Sequence, residues 1–515
     1  RRPPSRCSAI VRLISSGETP EPAGGPPALP GSQRPRHLNK SQLTTAARWL
    51  RRSLTAALVA GLLPAAQPSR ARATEPPPRP NIVFILADDL GYGETGFNGA
   101  RFASTPNLDR LAAEGIRFTR HYAGSAVCAP SRCTLLTGLH TGHCQIRDNV
   151  AIGADGEEFR PALQPEDVTV AGILRDAGYI TGCIGKWGLG DEGTTGVPWK
   201  QGFDHFFGYL HNTHGTRYFT EFIYRNESKI ALPGNYGNWR TQYGPDLCLE
   251  EAERFLEEHR DRPFFLYYAF NLVHGQYIDP PPDANLPPVE TPPGVDFTDQ
   301  QRTYFAMIQR LDRDVGRLVA QIDALRLTEK TLIIFASDNG SKGIGQGNDA
   351  LINASGGLRG GKADLYEGGI RVPFAARWPG VIAEGAHTGH AAAFWDFPPT
   401  VCELTGASPP PGLDGISYLP ALLGRPQASH EYLYWELAKR DEPTVVPRQA
   451  VSRGRWKAVR NGDNPPELYD LDSDPAETVN LAGRHPAVLA ELLALMERAR
   501  VADPHFPLQA GPGFE

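Results

Sequence analysis

Three stretches of the chain are apolar at nearly every position: Asn81-Ile-Val-Phe-Ile-Leu-Ala87, Arg262-Pro-Phe-Phe-Leu-Tyr-Tyr-Ala269 and Lys330-Thr-Leu-Ile-Ile-Phe-Ala336. A strand with one wet face alternates apolar and polar residues, so these runs predict strands buried on both faces of a mostly parallel sheet. Each run ends in polar residues: Asp88-Asp89, Asn271 to His274, and Ser337-Asp338-Asn339-Gly340. In open α/β sheets the site lies at the carboxyl ends of the strands, which makes these endings the first candidates. Helical spacing alternates with the runs. Thr105 to Gly115 carries an N-cap and a Gly stop, and Thr169 to Asp176 and Thr303 to Leu325 repeat the pattern.

Beyond about residue 405 the pattern shortens to four strands, Glu431 to Glu436, Gln449 to Ser452, Trp456 to Arg460 and Glu467 to Asp470, followed by a helix around Ala487 to Arg500. The expected plan is an α/β domain over 81–405, with a large mixed, mostly parallel sheet flanked by helices. A smaller α+β subdomain over 406–515 follows, an antiparallel sheet plus one helix.

Composition narrows the class. With 515 residues, 40% hydrophobic and 21% charged, the chain buries a large core, which excludes disorder, collagen and a pure coiled coil. The formal charge of -6 hides a split: residues 1–73 hold 12 Lys and Arg against two Glu, leaving 40 basic and 56 acidic residues in the remainder. A body that acidic is a poor candidate for a phosphate-tracking nucleic-acid binder. The leader has Arg48, Arg51 and Arg52, an apolar run from Leu54 to Ala66, and Ala71-Arg72-Ala73, which suits a cleavage site. It reads as a secretory signal, with residues 74–80 as a linker and a secreted or periplasmic destination. The apolar run is too short for a stable membrane span. The six cysteines after the leader show neither zinc spacing nor a disulfide framework.

The polar strand endings offer hard oxygen ligands, Asp88, Asp89, Asp338 and Asn339, which suit Ca²⁺ or Mg²⁺ rather than zinc. The decisive segment is Cys128-Ala129-Pro130-Ser131-Arg132 followed by Thr134-Leu-Leu-Thr-Gly138. It resembles the signature of the type I sulfatases, which have an alkaline-phosphatase-like fold and whose cysteine a dedicated maturation enzyme oxidises to formylglycine (3-oxoalanine). The resemblance runs in family order from Asn81 to about Pro507. Asp88-Asp89 and Asp338-Asn339 look like its metal pairs, with residue 128 as a further metal contact. Lys186 looks like its first motif lysine, His274 like its strand-end histidine and Lys362 like its second lysine, all three substrate-binding by the resemblance.

The resemblance implies an exported hydrolase that cleaves aryl or carbohydrate sulfate esters to alcohol and inorganic sulfate. Residue 128 hydrates to a geminal diol, one hydroxyl attacks sulfur, and the second drives elimination of sulfate. Arg132, Lys186 and Lys362 bracket the developing charge, and His274 or Lys362 protonates the departing alcohol. The implied cofactor is Ca²⁺, with Mg²⁺ as the alternative. The implied partners are a sulfated small molecule or saccharide and the formylglycine-generating enzyme, with no nucleic acid.

One departure stands out. The family commonly has His two places after the first lysine, and this chain reads Lys186-Trp187-Gly188. His211 and His214 are the candidate replacements, His214 the favoured one. The missing histidine keeps open a phosphodiesterase or phosphonate monoester hydrolase on the same fold, and an inactive relative that binds sulfated glycans is a third reading. Gly356-Gly-Leu-Arg-Gly-Gly-Lys362-Ala363 has phosphate-loop spacing but lacks the hydroxyl residue and a following helix, so it is set aside. Arg448, Arg453, Arg455, Lys457 and Arg460 form an expected basic rim for a sulfated carbohydrate, or else blunt a sheet edge.

Overall fold

The computed structural model of the protein describes residues 79–508 apart from 154–155, 284–285, 287, 344–351 and 442–443; the leader and most of the linker lie outside the described residues. Asn81–Ala87 sits at the middle of a ten-stranded sheet, hydrogen-bonded in parallel to Phe264–Ala269 on one side and to Thr331–Ser337 on the other. Ile180–Lys186 and His205–Tyr209 extend the parallel set, and antiparallel strands flank it on both sides.

The continuous apolar run of Asn81–Ala87 follows from this position. Ile82, Phe84 and Leu86 face one core with Leu135, Leu136, Phe397 and Val401, while Val83, Ile85 and Ala87 face a second with Leu311, Val315 and Leu318. The 26-residue helix Asp299–Ala324 covers the second face; its capping box, Thr298 with Gln301, starts it before the expected Thr303. Helix Pro106–Ala113 is capped from outside its own sequence. Asp312 Oδ1 accepts the Asn107 and Leu108 amides at 3.0 and 2.8 Å, and Thr105 turns its hydroxyl to the Gly96 amide instead.

Four antiparallel strands, Leu433–Asp441, Thr444–Arg453, Trp456–Asn461 and Glu467–Asp470, form the second sheet, followed by helix Pro486–Arg498. Leu433, Trp435, Ala450 and Val459 pack with Tyr122, Val127 and Trp395, so this sheet braces the segment leading into Cys128. The six described cysteines are buried and free. Among the described residues no helix is long and apolar enough to cross a membrane.

Candidate active site

Sheet register assembles the site. Leu86 pairs with Ala269, Ala87 with Ser337, and Ala269 with Gly185, so Asp88, Asp338, Lys186 and the 270–274 turn emerge at one edge. Backbone bonds lock them: the Asp88 amide donates to Leu272 O at 2.8 Å, and the Val273 amide donates to Asp88 O at 2.7 Å. The Asp89 amide donates to Asp338 Oδ1 at 3.1 Å. Asp89 has φ +65°, a left-handed conformation that Asp tolerates better than most residues and that turns its carboxylate back over the strand ends.

Cys128 is the first residue of helix Cys128–Thr137, every residue of which is buried and which Gly138 ends at φ +76°. Its side chain therefore stands at a helix N-terminus, where the backbone favours negative charge. Lys362 Nζ lies 3.2 Å from Cys128 Sγ and 2.5 Å from Asp89 Oδ1, bridging the two. Lys186 Nζ donates to Asp88 Oδ2 at 2.7 Å, and Asp88 Oδ1 is 3.5 Å from Cys128 Sγ. Arg132, one turn along the helix, bonds Asp338 Oδ2 through Nε and Nη2 at 3.0 and 2.8 Å and donates through Nη1 to Lys186 O. Burial raises the Asp88 carboxyl, but Lys186, His274, Arg132 and Lys362 outweigh it and hold the group ionised. Burial pushes the Cys128 thiol up to about 12 against the pull of both lysines, so unmodified it is a protonated, poor nucleophile at neutral pH.

His274 Nε2 stands 3.7 Å from Asp89 Oδ2, and burial pushes its pKa down to about 4. The donor set fits a divalent cation. Ligand atoms of Asp88, Asp89, Cys128 and His274 lie within 4.8 Å of one another. Asp338 and Asn339 join them through hydrogen bonds to the Asp89 amide and carboxylate. Asp89 Oδ2 and Asn339 Oδ1 are buried with no hydrogen-bond partner, a costly state that an oxygen-loving cation relieves.

The sulfatase profile matches residues 80–407. The chain belongs to the sulfatase family. The N-sulphoglucosamine sulphohydrolase C-terminal profile matches residues 361–501 of this sulfatase. Arylsulfatase A of Homo sapiens is 35% identical to it over 501 residues, covering 87% of this chain and 90% of that protein. The N-acetylgalactosamine-6-O-sulfatase of Bacteroides thetaiotaomicron is 30% identical over 500 residues, covering 82% and 93%. The crystal structure of Ps i-CgsB in complex with k-i-k-neocarrahexaose superposes with a TM-score of 0.70 at 27% identity, covering 84% of this chain and 96% of that one. The mixed sheet with its small C-terminal sheet is the alkaline-phosphatase-like fold expected from the sequence, and the chain is a sulfate-ester hydrolase by family.

The sulfatase has a cavity of about 290 Å³ beside this cluster, lined by Asn149, Arg160, Gly188, Asp191, His211, Asn212 and His274 among others. A β-carbon at Gly188, where φ is +85°, would stand 2.5 Å from Asn212 Oδ1. Asn212 thus fills the room of the absent side chain, with its Oδ1 buried and unpaired. Its Nδ2 donates to Asn149 Oδ1 at 3.3 Å, and that oxygen accepts the Ala129 amide, next to Cys128, at 2.9 Å. Neither asparagine stands out in the sequence, since polar loop residues carry no periodic signal.

The expectation for His214 is corrected. Its Nε2 lies 2.7 Å from Thr220 Oγ1 and 3.0 Å from Phe222 O, its ring packs on Phe222, its Nδ1 is buried without a partner, and it is not part of the cavity lining. Of the two candidate replacements, His211 is the one that lines the cavity, together with His274. The basic rim is corrected too. Lys457 is buried against Glu367 and Glu477, Arg455 pairs with Asp470, Arg448 with Asp364, and Arg460 with Glu497. Four of the five are thus paired with acids, and Arg453 alone stands exposed with no ion pair among the described residues, so the extended rim is not formed.

Proposed function

We propose that this sulfatase is an exported enzyme that hydrolyses carbohydrate sulfate esters, with residue 128 matured to formylglycine and a divalent cation, Ca²⁺ or alternatively Mg²⁺, held by Asp88, Asp89, Asp338 and Asn339. The leader plan of basic flank, apolar run and Ala-Arg-Ala supports export. The observation that carries the reading is the Lys362 ammonium bridging Asp89 and residue 128 at a helix N-terminus, with Lys186 and Arg132 close behind.

Three cations stand against three carboxylates in this cluster, which is near neutral by itself. A divalent cation held by Asp88, Asp89, Asp338 and Asn339 would make it positive, matched to an anionic ester, and would supply the acidification of a hydroxyl on residue 128. The hydrated aldehyde presents two hydroxyls. One gives up its proton and forms a bond to sulfur as the bond from sulfur to the alcohol oxygen breaks, and that oxygen takes a proton from the Lys362 ammonium; His274, neutral in the cluster as it stands, is the donor only once the anionic ester has drawn a proton onto it. Lys186, Lys362 and Arg132 take up the charge that grows on the sulfuryl oxygens. Deprotonation of the second hydroxyl reforms the carbonyl and expels sulfate.

Carbohydrate is favoured over sterol or aryl leaving groups by the cavity lining. Apart from the two imidazoles its only apolar side chains are Val150 and Pro161, against Asn149, Arg160, Asp191, Asn212, Thr213 and Thr216. Such a wall offers many hydrogen-bonding groups to sugar hydroxyls and no large aromatic or aliphatic side chain for a sterol or aryl ring.

The test compares sulfate release from 4-nitrophenyl sulfate and N-acetylgalactosamine 6-sulfate with phosphate release from the matching phosphate esters, using protein made with the maturation enzyme. The expected preference for sulfate in kcat/KM is about a hundredfold or more. A preference for phosphate or a phosphonate establishes the alternative hydrolase, and glycan binding without turnover the inactive relative.

A further inference from the structure

Next to the catalytic cavity lies a second one of about 230 Å³. The two meet along short stretches of backbone: Thr216 and His274 line the first, and Arg217, Tyr218 and Gln276 line the second. The wall between them is fixed. Tyr218 Oη donates to Asn271 O at 3.0 Å and to His274 O at 2.6 Å.

Trp239, which lines the second cavity, is 72% exposed, more than any other large apolar side chain among the described residues. A single exposed apolar side chain is ordinary; this one is presented by a braced loop. Asn235 is buried, its Nδ2 donating to Thr220 O and Gln242 O at 2.8 Å each, and its Oδ1 accepting the Thr241 and Gln242 amides at 3.2 and 3.0 Å. The Gly234 amide donates to Gln242 Oε1 at 2.9 Å, closing the base of the loop. Arg217 and Arg240 line the same cavity, and neither guanidinium forms an ion pair among the described residues, while the one acid in the lining is Glu221.

An indole face stacks on the C–H face of a pyranose, and a guanidinium takes a sulfate through paired N–H donors. Their combination, one short stretch of backbone from the residue that lines the reaction cavity, fits a neighbouring sugar of the same anionic chain. We infer that the second cavity is a subsite for a further sugar of a sulfated oligosaccharide whose reacting residue occupies the catalytic cavity. This rests on the carbohydrate sulfatase reading above and adds chain-length preference to it.

The test measures kcat/KM of the matured full-length enzyme on 4-nitrophenyl sulfate and on two length series, galactosamine 6-sulfate oligosaccharides and sulfated galactan oligosaccharides up to neocarrahexaose. Wild type should gain with length in at least one series. Trp239→Ala and Arg240→Ala should each remove about tenfold from the long substrate and change 4-nitrophenyl sulfate by less than about twofold. Sulfate release without any gain from length, or equal losses on short and long substrates, overturns the subsite and leaves the sulfatase reading standing. Release from none of the substrates overturns the reading beneath it, and the subsite with it.

Discussion

Asn212 Oδ1 stands 2.5 Å from the place a β-carbon would take at Gly188. A buried acceptor without a partner stands where the family commonly places a histidine, and Asn149 links this side chain to the amide next to residue 128; a carboxamide there can accept a hydrogen bond but cannot take a proton. Asn212→Ala should therefore lower kcat about tenfold with a smaller change in KM, read by steady-state kinetics. Gly188→His alone should fare worse, because it combines the left-handed φ with the clash against Asn212. Unchanged kcat in Asn212→Ala would remove Asn212 from the account.

Cys128→Ala should lower turnover by about four orders of magnitude or more while leaving the melting temperature close to wild type, since one buried sulfur is lost from a well-packed helix. Cys128→Ser should trap a stable sulfate ester after one turnover, because a serine has no second hydroxyl to expel it. Intact-mass spectrometry reads the adduct, and multiple turnover by the serine variant contradicts the two-hydroxyl scheme.

Asp89→Ala should cost both metal and activity, since Asp89 offers an unpaired buried oxygen and also holds Lys362 next to residue 128. Elemental analysis of wild type should find one divalent ion per chain, and thorough chelation should abolish turnover until Ca²⁺ or Mg²⁺ is restored. Full activity in metal-free protein refutes the cation.

Burial raises the Asp312 carboxyl from 3.8 to about 6. Between those values the folded protein holds a proton that the unfolded chain releases. The contribution of this group to stability is therefore present at low pH and lost as pH rises toward 6, by about 3 kcal/mol in all. Asp312→Asn should keep most of the cap on helix Pro106–Ala113 and lose this slope. Melting temperatures of the two proteins should converge or cross between about pH 4 and pH 7. Parallel profiles contradict the assignment.

What the sequence made legible follows from where the signals are local. Asp88, Asp89, Asp338 and Asn339 follow apolar runs directly, so strand pattern and ligand chemistry point to the same place. Cys128 sits in a contiguous signature. Asp312 capping a helix some two hundred residues away in sequence, and Asn212 occupying the room at Gly188, depend on tertiary contacts that no window along the chain contains. His214 misled because a histidine near a gap in a motif looks catalytic until Thr220 and Phe222 are seen to hold its ring. Arg448 and Lys457 misled for the same reason: Asp364 and Glu367, which pair with them, are distant in sequence.

The proposed chemistry requires residue 128 to act as an aldehyde. Trypsin releases it in the peptide His121 to Arg132, and formylglycine lowers the mass of that peptide by about 18 Da relative to the thiol. Preparations with different extents of maturation should give sulfate-ester turnover proportional to the lighter fraction, on a line through the origin. Turnover by protein whose peptide carries only the unmodified thiol would contradict the account.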